Sequence, residues 1–493
     1  MTITRRRLLR IATMAMLLTG TTMLLPVLTA LYYHETEDIR AFLRPALLFL
    51  ALGLIGFIAI RKLEYSYTKR LKIRDAYLLI LGLFFFLVLM SAVPYLLSSR
   101  HYTLTDAVFE AVASWTTTGA TTRDMGSIHH SFLIWRGINN WLGGMLLIIF
   151  SVSIFPAMRI KDQRVMGNNV FAGDTSKLSA RLEDAMVMAF RIYLVLTVTE
   201  YVLLLPSGMT PFYALVNTLT TISSAGMVDA LGTRGAYIFS PYIKVIISIF
   251  TVVGSLNFMV YYQIYRRRWR LALRNYELKI YLGLILAVSV VNGLALTLQG
   301  TYNSLSDCFG NALTQTISYA STSGYVVSSS IETWPTVTKI TLLLLILIGG
   351  CSFSTASGMK VSRATVCWKL ILRGIYKRIH PQSSKAVLIE NEPVSAPVAA
   401  GVTVFVLLYF GVMILGMVFM GLEDMSMEKT MCAVVACLTN SGTFFGGMTS
   451  ANFAAFSAPG KLWACFLMLL GRMEIYPIIF LFSRSFWMPS NTR

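Results

Sequence analysis

Charge is what this chain has least of. Only 13% of its 493 residues are Asp, Glu, Lys or Arg, and just 23 are acidic. A soluble protein of ordinary composition carries about a quarter charged residues. The six cysteines (Cys308, Cys351, Cys367, Cys432, Cys437 and Cys465) have no metal-ligand spacing with any of the five histidines, and most sit in apolar surroundings. They read as small packing residues, which excludes a disulfide framework. His34, His129 and His130 fall in expected outer loops with no metal or triad pattern. Nucleotide motifs are also missing: there is no P-loop, and no glycine-rich turn opens a helix after a strand. A membrane-embedded enzyme would need an acid, base or nucleophile cluster at one depth. Glu200, Arg472 and Glu474 are scattered and have no His–acid partner. The chain therefore reads as a non-enzyme with no cofactor of its own.

Apolar residues are abundant, 56% of the total. They cluster in runs that reach the about 20 residues a helix needs to cross a bilayer. Ten such runs are expected as spans: 9–33, 41–61, 75–98, 134–157, 185–206, 238–262, 278–299, 336–358, 396–421 and 459–483. Residues 11–31 follow arginines as a signal peptide would. The run is too long for the usual apolar core and lacks a small-x-small cleavage site, so a retained span is expected. The net charge of +19 does not point to nucleic acid, because the basic groups alternate with the spans. Arg5, Arg6, Arg7 and Arg10 precede the first span, and Arg61, Lys62, Lys69, Arg70, Lys72 and Arg74 follow the second. Later groups run from Arg159 to Arg181, Arg266 to Arg274 and Lys360 to Lys385, while His34-Glu35-Thr36-Glu37-Asp38 lies between spans on the other side. This positive-inside pattern predicts a multi-pass inner-membrane protein with both termini cytoplasmic. The anionic lipid bilayer would attract the basic loops.

After the first two spans a unit recurs four times: long span, short apolar stretch, glycine turn, long span. The short stretches are 104–115, 211–222, 304–320 and 427–438. Most have about 12 residues, roughly 18 Å of helix, which is half a bilayer. They must enter and return on one side, and non-helical backbone at that depth survives only inside protein or beside a water-filled cavity. The turns are Thr116-Thr117-Thr118-Gly119, Ser223-Ser224-Ala225-Gly226, Ser321-Thr322-Ser323-Gly324 and Thr439-Asn440-Ser441-Gly442. Their glycines recur at intervals of about a hundred residues, the mark of an internal repeat. The expected fold is all-α and polytopic: a two-helix region at 1–74, then helix–pore-loop–helix repeats at 75–184, 185–277, 278–395 and 396–493 around one pseudo-fourfold pore.

A cation leaving water needs oxygen ligands, which rings of backbone carbonyls can supply. Glycine reaches the required backbone angles without a Cβ penalty. None of the four turns holds a carboxylate. Neutral oxygens suit a weakly hydrated monovalent ion better than calcium or magnesium. The candidate filter residues are Thr117, Thr118, Gly119, Ser224, Ala225, Gly226, Thr322, Ser323, Gly324, Asn440, Ser441 and Gly442. All but the glycines are candidate cation ligands. Each half-helix would aim the negative end of its dipole at the ion. Asp106, Asp307 and Glu428, near the outer starts of three of them, read as N-terminal caps. Two further features read as facing the cavity. Residues 349–358 interrupt an expected span with small and polar residues, and Arg472 places a charge inside the last span. Glu200 and Asn257 read as helix–helix hydrogen-bonding residues.

With these features the chain resembles the Trk/Ktr/HKT superfamily of potassium transporters, and most of all the membrane subunit of bacterial Trk systems (TrkH/TrkG type). The resemblance covers essentially the whole chain. It rests on Thr116 to Thr122, Trp135-Arg136, Trp141-Leu142-Gly143-Gly144-Met145, Gly349-Gly350-Cys351-Ser352 with Ser357-Gly358-Met359-Lys360, and Gly471-Arg472-Met473-Glu474. It implies potassium as the transported ion, one pore per chain, a homodimer, and a cytosolic TrkA-type nucleotide-binding partner. The basic loops 159–181 and 360–385 are the candidate docking surfaces. It also implies a blocking loop beneath the filter, built here from Gly349, Gly350, Cys351, Ser352, Ser357 and Gly358, and an arginine on the permeation path at Arg472. This loop departs from its relatives at Phe353 and Ser354, where they are richer in glycine. Similar sodium-favouring plant transporters often have serine where this chain has Gly119, which favours potassium over sodium or mixed permeation. Proton-coupled symport stays open, whereas a scaffold with a degenerate pore would have lost glycines from the turns, and all four remain.

Overall fold

A computed structural model describes residues 5–61, 73–123, 125–157, 178–226, 240–325, 331–382, 386–390, 392–442 and 450–487. The basic stretches at 62–72 and 159–177 lie outside the described residues. The chain opens with α1 (Arg5–Thr22) and α2 (Leu24–Tyr32), which form one apolar rod with a break at Met23. Pro26 explains the break, because its ring crowds the carbonyl one turn back. A tight turn at His34 (φ 57°) reverses the chain into α3 (Thr36–Arg61), which packs along both.

The fourfold unit follows. Its first helices are α4 (Ile73–Leu96), α7 (Leu178–Leu204), α12 (Tyr276–Gln299) and α16 (Ala396–Met420). The half-helices are α5 (Leu104–Trp115), α8 (Pro211–Ile222), α13 (Leu305–Ala320) and α17 (Met427–Leu438), close to the stretches that length and hydropathy select. Sequence chemistry starts three of them: Thr103 and Asp106 form a capping box, Thr210 accepts from the Tyr213 amide, and Ser426 accepts from the Lys429 amide. Asp106 also pairs with Lys461 at 2.8 Å, tying repeat one to repeat four. Asp307 and Glu428 sit in the first turns of α13 and α17.

The returning helices differ from the expected straight spans. Only α6 (His130–Ala157) is unbroken. In repeat two, α9 (Pro241–Ser255) and α10 (Phe258–Tyr265) meet at 91°, and α11 (Trp269–Arg274) follows. In repeat three, α14 (Thr336–Ile348) stops after 13 residues. In repeat four, α18 (Ala458–Arg472) and α19 (Ile475–Phe482) meet at 117°. All three break just beyond the level of the turns, because α14 and α18 run into glycine or a left-handed residue and α9 into the extended Leu256. Among the described residues seven helices are long and apolar enough to cross a membrane, or nine if each bent pair is one span. The ten expected spans thus include two bent pairs and the short α14. Residues 361–379, read as loop, are the amphipathic helix α15 (Val361–Ile379), with Trp368, Ile371, Leu372 and Ile375 exposed. A two-stranded hairpin, β1 (Leu388–Ile389) with β2 (Glu392–Pro393), leads to α16, and α20 (Arg484–Trp487) closes the described chain.

The half-helices form the core, with every residue from Phe109 to Thr122 buried, while Leu298, Leu407 and Val418 face outward where lipid would lie. His129 and His130 correct the sequence reading. Asp38 takes hydrogen bonds from His129 (2.6 Å) and Ser131 (2.8 Å), and Glu35 pairs with His130 (2.9 Å) and accepts from the amides of His130 and Ser131. Glu35, Asp38 and His129 bring ligand-type atoms within 4.8 Å of one another. Long-range pairing, invisible in the sequence, makes these residues a clasp between the N-terminal hairpin and α6.

Candidate ion pathway

Each half-helix ends in the same turn. Thr117, Ser224, Thr322 and Asn440 take left-handed φ of 54°, 57°, 56° and 54°, and Gly119, Gly226, Gly324 and Gly442 follow two residues later at 74°, 52°, 65° and 69°. The amides of Thr117, Ser224, Thr322 and Asn440 donate to Ser114, Thr221, Tyr319 and Cys437. Those of Thr118, Ala225, Ser323 and Ser441 donate to Ala113, Thr220, Ser318 and Ala436, at 2.9 to 3.0 Å. This is the paired C-terminal capping pattern in which a left-handed residue, usually glycine, ends a helix. Here Ser, Thr or Asn fills that position, at a cost of about 1–2 kcal/mol per residue. The consequence is directional. In a trans peptide the N–H and C=O point opposite ways, so amides turned back into the helix leave the preceding carbonyls pointing away from its end. Sequence reading assigned the special backbone to glycine alone; a second left-handed position escaped it because threonine and serine rarely signal one.

The turns also pack on one another. A Cβ on Gly119 would lie 2.2 Å from the Ala225 carbonyl oxygen, one on Gly226 1.6 Å from that of Ser323, and one on Gly442 2.0 Å from that of Thr118. Each of these glycines therefore seats its turn on its neighbour, in the order four, one, two, three. Asn440 Nδ2 adds a 3.0 Å bond to Thr118 Oγ1 across the same junction. A second set of small residues presses the returning helices on the half-helix ends. Cβ atoms on Gly143, Gly254 and Gly471 would meet the carbonyl oxygens of Trp115, Ile222 and Leu438 at 2.1, 2.9 and 2.1 Å. Their recurrence 24, 28 and 29 residues after the turn glycines Gly119, Gly226 and Gly442 was the signal available in the sequence.

Glu110, not singled out by the sequence reading, is buried inside α5 and pairs with buried Arg136 of α6. Its Oε1 accepts from Thr121 Oγ1 (2.7 Å), the Thr122 amide (2.7 Å) and Thr122 Oγ1 (3.0 Å). Arg136 donates to the carbonyls of Gly119 (3.1 Å) and Ala120 (2.9 Å). The pair holds the strand that leaves turn one. In repeat three a neutral residue does similar work, Gln315 donating to the Tyr325 carbonyl at 3.2 Å. A carboxylate in the middle of an apolar half-helix was the visible clue.

The segment 349–358 lies against turns two and three. It turns at Gly349 (φ 75°) and Gly358 (φ 82°). Cys351 N–H donates to Ser255 O (3.1 Å), Thr355 N–H and Oγ1 to Gly254 O (3.3 and 2.8 Å), and Phe258 N–H to Phe353 O (3.0 Å). These bonds fasten the segment to the break between α9 and α10. Ser357 N–H donates to Thr322 Oγ1 (2.8 Å), and the Thr355 and Ser224 hydroxyls are 2.8 Å apart. Gly350 and Ser352 are buried, and Ser352 Oγ bonds Ser362 Oγ at 2.6 Å. Phe353 is left-handed (φ 55°), a conformation that glycine adopts freely and phenylalanine does not.

Arg472 ends α18 with its side chain buried, donating to Thr355 O (2.7 Å), Ser357 Oγ (3.2 Å) and Gly143 O (3.3 Å). Its partners among the described residues are neutral oxygens, two of them on the loop. Glu474 turns away to pair with Arg363 of α15 at 2.6 Å. A small cavity beside the loop is lined by Ser357, Lys360, Tyr409, Arg472 and Glu474, among others. Asn257 caps α10 through Met259 N–H and donates to Glu277 at 3.2 Å. Glu200 of α7 is fully buried and faces the Thr221 side chain of α8, which bears on its carboxyl as a hydrogen-bonding partner between the two helices.

The family model described as TrkH, cation transport protein, matches residues 49–492. The chain is 30% identical over 489 residues to the Trk system potassium uptake protein TrkH of Salmonella typhimurium, covering 98% of this chain and 99% of that one. It is 28% identical over 476 residues to the Escherichia coli protein TrkG of the same system, covering 94% and 95%. The crystal structure of the potassium transporter TrkH from Vibrio parahaemolyticus superposes with a TM-score of 0.87 at 26% identity, over 99% of this chain and 100% of that one. Four half-helices ending in one repeated turn, matched along nearly the whole length of these relatives, place the chain in the TrkH family of cation transport proteins.

Proposed function

We propose that this chain conducts potassium into the cell across the inner membrane, through a filter made by the four turns. The observation that carries this reading is the repeated backbone pattern: amides turned back into four converging half-helices, with carbonyls turned outward from their ends. Such carbonyls, with the flanking hydroxyls and Asn440, supply neutral oxygens for a dehydrated monovalent cation. Potassium is assigned to Thr117, Thr118, Ser224, Ala225, Thr322, Ser323, Asn440 and Ser441. Potassium, the ion in the names of its relatives, supports the choice of ion.

The loop 349–358 acts as the gate and Arg472 as its anchor. Both termini lie in the cytoplasm, the chain pairs with a second copy, and a cytosolic nucleotide-binding subunit docks on the basic inner surface. The units are 1–74, 75–184, 185–277, 278–395 and 396–493. The test is rubidium flux in liposomes with sodium competition. Flux that favours potassium over sodium and is lost in Gly119→Asp and Gly324→Asp supports the filter; potassium flux unchanged in those variants refutes it. Sodium flux equal to potassium would replace selective with mixed permeation, and flux that carries protons in fixed ratio would make the chain a symporter.

A further inference from the structure

Glu277 has no role in the reading above, yet it is buried, 2% exposed, in the first turn of α12. An acid there often only complements the helix dipole. That role does not require contact with other elements, and Asn275 already caps α12 through the Leu278 amide. The Glu277 carboxylate instead joins two other segments. Oε1 accepts from the Ser352 amide at 2.7 Å, and Oε2 accepts from Asn257 Nδ2 at 3.2 Å. Ser352 is in the loop and Asn257 is at the break between α9 and α10. One turn further along α12, the Tyr281 hydroxyl bonds Ser255 Oγ at 2.7 Å, on the same break. So one face of α12 grips both the loop and the site it docks on.

We propose that Glu277 is the latch of the loop: its carboxylate holds the Ser352 amide against the repeat-two break and so keeps 349–358 beneath the filter. This rests on the reading of that loop as the gate. Glu277 is a positioning residue and touches no ion. A charged acceptor suits the role, since hydrogen bonds to charged groups are stronger than neutral ones. The neighbouring Tyr276 amide donates to Glu390 on the β1–β2 hairpin at 3.1 Å, so the end of α12 that carries the latch also touches that hairpin.

The loop carries its own reporter, Cys351, whose side chain is buried. Full-length protein in liposomes is treated with a thiol reagent, and modification of Cys351 is followed by peptide mass spectrometry beside rubidium flux. Glu277→Ala is expected to speed Cys351 modification about tenfold or more, the factor for losing a hydrogen bond to a charged group, and to raise basal flux. Asn257→Asp keeps the cap on α10 but sets an anion against Glu277, and is expected to do the same. Combining Glu277→Gln with Asn257→Asp swaps donor and acceptor, restores the contact, and should return both readouts to near wild type. A merely structural role would not be rescued in this way. Unchanged Cys351 modification in a folded Glu277→Ala protein overturns the latch. If that variant does not fold, Asn257→Asp and the swapped pair decide, and failure of rescue overturns it. Faster modification with unchanged flux leaves the latch standing and refutes the gate.

Discussion

Glu110→Gln should cost this protein about 3 kcal/mol of stability, the low end for breaking a buried ion pair. Glu110 and Arg136 are each 1% exposed, so neither charge is hydrated once its partner is gone. The low end applies because the stranded guanidinium keeps the Gly119 and Ala120 carbonyls at 3.1 and 2.9 Å. The glutamine oxygen can still accept from Thr121 and Thr122, so shape and most hydrogen bonds survive and the lost charge is isolated. Arg136→Met has a different signature. It also releases the two carbonyls of turn one, and losing such a charged hydrogen bond, about 1.5 kcal/mol, should lower potassium-over-sodium discrimination about tenfold. Combining the two substitutions removes both charges and should be milder than the sum of the singles by about 2–3 kcal/mol. Stability is read as the half-life of monodisperse protein on heating, since unfolding of such a protein is not reversible. Selectivity is read from rubidium flux under sodium competition. Wild-type stability in Glu110→Gln, or a double variant equal to the sum, refutes the reasoning.

Gly226→Ala would put its Cβ 1.6 Å from the Ser323 carbonyl at a φ of 52°, so flux should fall to background, whereas Gly283→Ala, with nothing within 4 Å, should be neutral in the same assay. Arg472→Ala removes two hydrogen bonds to the loop and one to Gly143 of α6, and should raise basal conductance in protein that still folds; normal flux would leave Arg472 a structural residue. Burial alone would raise the Glu35 carboxyl, but hydrogen bonds from His130 and Ser131 outweigh it and hold it at about 2, below its ordinary 4.5. The folded form therefore gains stability above pH 4.5 and loses it as the pH falls toward 2. After discounting for solvent screening the contribution is about 1 kcal/mol. Heating curves across that range should show the loss in wild type and its absence in Glu35→Gln.

The half-helices were legible because their signal is local: an apolar stretch too short to cross, a capping residue in front and a glycine behind. The structure places the ends of α5, α8, α13 and α17 within a residue of expectation, while the N-cap residues Thr103, Thr210 and Ser426 were not singled out by the sequence reading, which named Asp106, Asp307 and Glu428. The breaks in α9–α10 and α18–α19 were not legible, since an apolar run reads alike whether straight or bent, and only Glu474 and Leu256 in context decide it. The role of Phe353 was half visible, as a departure from glycine-richer loops; its left-handed backbone needed the fold.

Composition and spacing by themselves determined that this is a fourfold, membrane-spanning cation conduit, because hydropathy, caps and glycine turns act within a few residues of their own position. The tertiary structure alone decided how the turns are held: which glycine abuts which carbonyl, that Glu110 pairs with Arg136, that Arg472 binds loop oxygens instead of an acid, and that Glu277 joins Ser352 to Asn257. Each of these joins residues far apart in the chain. Contact between buried polar groups depends on the docking of whole helices, which no local pattern of residues encodes.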